Sequence, residues 1–224
     1  MNWIQQHILV ELTRHATRRY SQLRPDGVEG NLFSYHLDGL FKEGLIEKHD
    51  RQYQLSTKGL QYAGTLSLET GRTRLQPKIL TAVICRNESG QYLMARWQRQ
   101  PNTGLVSFPH GMMHFGKTTM EMAATELAEK AGLTADLSYI GEVYVRGFRG
   151  QDLDRHMLVH LFEGANLKAG RQDELRPDVA EPFWTRLEDL KPQEFVPGFY
   201  EIAQLIQKPR QNHIFAELSV NIGK

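Results

Sequence analysis

The chain has 224 residues, with 27 Lys and Arg against 26 Asp and Glu, a formal net charge of +1. That length allows one large domain or two small ones, each able to bury a core, and the near-neutral charge indicates neither a general nucleic-acid coat nor an acidic tail. A single cysteine, Cys85, excludes an internal disulfide; no apolar run approaches the ~20 residues of a membrane span, and the first twenty residues are too polar for a signal peptide, so a cytoplasmic protein with no membrane partner is expected.

Residues 1–66 read as a separate small domain. Trp3, Ile4, Ile8, Leu9 and Leu12 recur at helical spacing. A short second helix is expected over residues 18–23, stopped near Pro25. A third helix, residues 31–43, carries Phe33, Leu37, Leu40 and Phe41 on one face and ends at Gly44. Residues 45–48 and 52–55 alternate as two short strands around a turn at His49, Asp50 and Arg51. Ser56 or Thr57 then opens a last helix through Thr65. The run Phe33-Ser-Tyr-His-Leu37 through Gly44-Leu-Ile46, followed by Tyr53-Gln-Leu-Ser-Thr-Lys-Gly59, resembles the MarR- and PadR-like winged-helix domains of transcription regulators. The resemblance implies that the third helix enters the major groove of double-stranded DNA and that the hairpin touches its backbone. The residues it points to are Asn31, Ser34, Tyr35 and His36 on the helix and Lys48 and Arg51 on the hairpin. Residues 1–75 hold ten Lys and Arg against eight Asp and Glu, a weak excess for a phosphate-binding surface; a homodimer would double it.

Residues 67–77 are polar, end at Pro77 and read as a linker. Residues 79–85 and 91–97 read as a strand pair around a turn at residues 87–90. Arg96 and Arg99 follow near an expected ligand cleft. Beyond the central segment, residues 135–145 read as a strand, 146–155 as a loop, and 156–162 as an alternating strand with His156 and His160 on one face. Those two histidines lack partners at zinc-ligand spacing. Residues 181–190 read as a strand followed by a short helix, and residues 196–207 as a helix burying Phe199, Ile202, Leu205 and Ile206. Residues 209–224 form a tail in which 213–220 could make a strand that swaps or caps.

The central stretch, residues 107–133, reads as a strand end, a glycine loop and an amphipathic helix closed by Gly132. Thr118 and Glu121 form a capping-box pattern, Met122, Leu127 and Ala131 point inward, and Glu126 and Glu129, three apart, share a face. Two motif readings compete. Gly111 through Gly116-Lys117-Thr118 satisfies the P-loop pattern G-x-x-x-x-G-K-[ST], in which backbone N–H groups cradle phosphates; no later apolar strand ends in a metal-binding aspartate to complete it. The same residues resemble the Nudix box, G-x5-E-x7-R-E-U-x-E-E-x-G-U with U a bulky apolar residue. Gly111, Glu126, Leu127, Glu129, Gly132 and Leu133 match, while Lys117, Thr125 and Lys130 stand where the family has glutamate, arginine and glutamate. The lead-in over residues 102–111 is also similar to the family's N-T-G-x-W-x-L-P-G-G, with Val106 for tryptophan and His110 for glycine.

This second resemblance covers residues 78–208. It implies an α/β fold, the Nudix α/β/α sandwich with a mixed sheet, beside the small α+β winged-helix domain. It also implies a Mg²⁺ site made by the Gly111 carbonyl, Glu126 and Glu129, the glutamates being the catalytic groups. Lys117 and Lys130 bring the four charged box positions close to neutrality, which weakens a divalent ion's seat and, with Arg96, favours a bare phosphate. The expectation is a nucleotide or phosphorylated metabolite bound with weak or absent hydrolysis and coupled to DNA binding. The alternatives are an active Mg²⁺-dependent hydrolase of nucleoside diphosphate derivatives, aided by Asp152, Asp154 or Glu174, and a noncatalytic protein-interaction module.

Overall fold

The structure, a computed structural model, describes residues 1–209 and 212–223. The chain divides into two compact units, Met1–Leu75 and Gln76–Lys224.

In the first unit, α1 (Trp3–Arg14) begins at Asn2, whose side chain accepts from the Ile4 amide while Gln5 returns to the Asn2 amide. It is followed by β1 (Arg18–Arg19), α2 (Tyr20–Leu23), α3 (Gly30–Lys42), β2 (Ile46–His49), β3 (Gln52–Leu55) and α4 (Thr57–Ala63). The three strands form an antiparallel sheet in the order β1-β3-β2. Ile4, Ile8, Leu9, Phe33, Leu37 and Leu40 are buried in its core, whereas Trp3, placed on the inner face by periodicity, is exposed. Residues 18 and 19 pair with β3 rather than joining the short helix. Residues 67–74, read as linker, fold back on this unit: the Arg74 amide donates to Thr65 O and Leu66 bridges to Thr73.

The second unit opens with β4 (Lys78–Cys85) and β5 (Tyr92–Trp97), then β6 (Val106–Ser107), β7 (His110–Met112), α5 (Thr119–Ala131), β8 (Leu133–Arg149), β9 (Asp152–Ala169), β10 (Ala180–Thr185), α6 (Phe199–Ile206) and β11 (Ile214–Asn221). A five-stranded mixed sheet runs β11-β8-β9-β4-β7, and a three-stranded antiparallel sheet runs β10-β5-β6. β11 is parallel to β8 and β9 to β4; the other pairs are antiparallel. β4 alternates between two cores. Leu80, Ala82 and Ile84 pack in the core that includes Phe199 and Ile202 of α6, while Val83 and Cys85 pack in the one that includes Ala123 and Leu127 of α5. A strand covered on both faces reads as the continuous apolar run seen in the sequence.

In this unit one sequence expectation needs correction. Residues 146–155 are not a loop. β8 and β9 continue through them as one long hairpin, with Arg149 opposite Asp152. The strand expected in the tail is present: Ile214 to Asn221 pair in register with Gly141 to Phe148 and cap the sheet edge within the chain.

Candidate functional site

The site grows from the junction of β7 and α5. Thr118 caps α5, its hydroxyl accepting from the Glu121 amide while Glu121 accepts from the Thr118 amide. Gly132 ends the helix in the left-handed conformation, φ 65°. Met122, Ala123 and Leu127 anchor α5 inward, which rolls the next positions, Glu126, Glu129 and Lys130, toward β7. Glu126 lies directly over Gly111: a β-carbon there would sit 1.9 Å from its Oε1. Only glycine leaves room for that carboxylate.

The arrangement at Lys130 departs from a metal seat. Its Nζ is 3.1 Å from Glu126 Oε2 and 3.1 Å from Glu129 Oε2, and it donates a hydrogen bond to Glu129. The Lys130 and Glu126 side chains are only 7% and 6% exposed, so the pair is internal and not part of a solvated helix face. Glu126 Oε2, although beside the ammonium, has no directed hydrogen bond. Burial raises the Glu126 carboxyl above the ordinary carboxylate range, and the lysine's attraction only partly opposes it. A magnesium ion requires near-octahedral oxygen ligands about 2.1 Å away. Two carboxylates already bridged by a buried ammonium do not fit that ion. No cluster of three or more His, Cys, Asp or Glu side chains suited to a metal occurs among the described residues.

Other expected residues are not gathered here. Lys117 is exposed in the turn before α5. Arg96 lies on the three-stranded sheet, donating to Gly104 O and stacking over Phe183 at 5.1 Å. The P-loop reading is overturned: residues 110–112 are a strand paired with β4, and the amides of Met113, Lys117 and Thr118 donate to Ile79, His114 and Glu121. They do not converge as a phosphate cradle. His160 pairs with Glu142 at 3.6 Å, and no third metal ligand joins them among the described residues.

Sequence reasoning missed a lane across the sheet. Glu142, His160, Thr81 and Gly111 are successive cross-strand partners on β8, β9, β4 and β7, so they share the face on which Glu126 covers Gly111. Thr81 is fully buried and its hydroxyl has no hydrogen-bond partner among the described residues. It also missed His110, stacked on Phe199 at 4.3 Å with Trp97 at 4.7 Å and bonded through Nδ1 to Ser107 Oγ. Burial pulls the His110 imidazole down to about 4, so it is neutral near pH 7. Register and stacking are set by tertiary pairing, and spacing along the chain carries no signal for either.

On the first unit, Asn31 and Tyr35 are exposed on α3, His36 is half-buried against Tyr35, and the Ser34 hydroxyl is tied to Tyr20. Lys48 and Arg51 line a concavity of about 880 Å³ with Arg19, His49 and Gln52.

Residues 77–206 match the NUDIX domain family, and the chain belongs to that family. Among solved structures it is similar to a MutT protein from Bacillus halodurans, at 15% identity over 63% of this chain and 89% of that one, with a TM-score of 0.51. It is also similar to a NUDIX hydrolase from Nitrosomonas europaea (15% identity, 59% and 87% covered, TM-score 0.49). A third is a MutT NUDIX hydrolase from Burkholderia pseudomallei (19% identity, 58% and 96% covered, TM-score 0.48). At 15% identity the first likeness speaks for the fold alone. No curated protein matches.

Proposed function

We propose that the second unit binds a nucleotide-like or phosphorylated small molecule at the β7–α5 junction and hydrolyses it weakly or not at all. The observation that carries this reading is the Lys130 ammonium, 3.1 Å from both box carboxylates. Nudix hydrolases generally work with a divalent ion such as Mg²⁺, and here a lysine engages the groups that would hold it. Lys117, exposed at the start of α5, offers the ligand's phosphate a cation. Arg96 meets it only by giving up its contacts with Gly104 and Phe183. A magnesium-dependent turnover assay over a panel of nucleoside diphosphate derivatives tests this. Wild type should run no faster than Glu126→Gln. Robust turnover that this substitution abolishes would establish the rival reading, an active hydrolase.

The first unit is proposed to be a winged helix acting on double-stranded DNA as a homodimer, making the whole chain a ligand-responsive regulator. The succession of three helices, a hairpin and a helix with a small antiparallel sheet supports this. So does the exposure of Asn31, Tyr35, Lys48 and Arg51. Ser34 contributes to DNA only if its bond to Tyr20 opens.

A further inference from the structure

We infer that Lys130 is the site's resident cation: its ammonium alone keeps divalent metal out, and one substitution there opens the site to metal. The inference deepens the ligand-binding reading and rests on its placing of the site at the β7–α5 junction. Three observations carry it. The ammonium is shared between two carboxylates at equal distance, 3.1 Å each. It is buried, so exchange with solvent cations requires breaking both ion pairs and moving α5 side chains. Finally, Glu126 Oε2 faces it without a directed hydrogen bond, an oxygen whose lone pairs are not fully used.

Charge decides the outcome. Glu126, Glu129 and Lys130 together carry −1; glutamate at position 130 makes the set −3 on the same helical face. A dication feels every one of those charges at short range in a poorly screened place. Lys117 is exposed in the turn ahead of α5, where solvent screens it. The sequence departs from the box at both lysines, but the geometry assigns the effect to Lys130.

The test is titration of the full chain with MnCl2, followed by calorimetry and by the manganese electron-spin signal. Wild type should show no saturable site in the millimolar range. Lys130→Glu should bind one Mn²⁺ per chain at least a hundredfold tighter, Lys130→Gln at least tenfold, and adding Glu126→Gln to the former should abolish the gain. Lys117→Glu should gain less than threefold. Circular dichroism and melting confirm that each variant is folded; if Lys130→Glu is not, the neutral Lys130→Gln decides. The inference is overturned by wild type binding as tightly as Lys130→Glu, by folded variants at position 130 that gain nothing, or by an equal gain from Lys117→Glu. Folded variants at position 130 that gain no Mn²⁺, with no turnover by wild type, would sink this inference and leave the weak-hydrolysis reading standing. Efficient magnesium-dependent turnover by wild type would sink both.

Discussion

A buried ion pair is weak support for stability while it is intact and a large liability when half of it is removed. Lys130 and Glu126 meet that description, at 7% and 6% side-chain exposure. Lys130→Ala should therefore destabilise the second unit by about 3–5 kcal/mol, because it strands the Glu126 charge, whereas Lys130→Met with Glu126→Gln should lie near neutral. Urea unfolding of the single and double variants checks this; additive losses would show that the pair is not coupled. His110 sets a pH dependence. Its folded pKa of about 4 lies below the ordinary 6.5, so the unfolded chain binds the proton more readily. Stability is then complete above pH 6.5 and falls as the pH drops toward 4, by roughly 3 kcal/mol. His110→Phe should flatten that limb of the stability profile. The raised Glu126 carboxyl acts in the opposite sense: the folded form holds its proton longer, so stability declines as the pH rises above the ordinary carboxylate value. Glu126→Gln separates the two contributions.

At the scale of elements, what a sequence reveals depends on whether the governing contact is local. The capping box at Thr118 and Glu121, the inward Met122 and Leu127 and the stop at Gly132 were all legible, because each is decided within one or two turns of α5. Thr118→Ala should lower stability by about 1 kcal/mol, read from the shift in unfolding midpoint. The shared face of Glu126 and Glu129 was also legible. The burial of Lys130 was not, because it depends on how far α5 rolls onto β7. Nor was the β8–β9 hairpin: Gly147 and Gly150 look like loop residues by composition, yet the strands pair through the first and turn at the second. The lane from Glu142 to Gly111 joins four strands that lie far apart in sequence, so only the register discloses it.

For the whole molecule, the proposal of a DNA-binding first unit is open to a salt test. If Lys48 and Arg51 each neutralise one phosphate, Arg51→Ala should reduce the slope of log affinity against log salt by about 0.9 on any duplex. Tyr35→Ala should instead change preference among duplexes with little effect on that slope. Unchanged retention in both variants, or none for wild type at low salt, removes the basis for the regulator reading. The near-neutral charge of residues 1–75 already bounds the effect: on this proposal any nonspecific component is small, and recognition would have to come from base edges or from two copies acting together.

The last strand carries a consequence for how the second unit assembles. β8 accepts β11 along eight consecutive residues, and Gly141 admits the Ile214 backbone so closely that a β-carbon there would stand 2.1 Å from the Ile214 carbonyl oxygen. A polypeptide still emerging from the ribosome holds β8 long before β11 exists. Until then, that row of amides and carbonyls is an open template for any extended segment nearby. Chains shortened before residue 212, or bearing a bulkier side chain at position 141, should self-associate through this edge during synthesis.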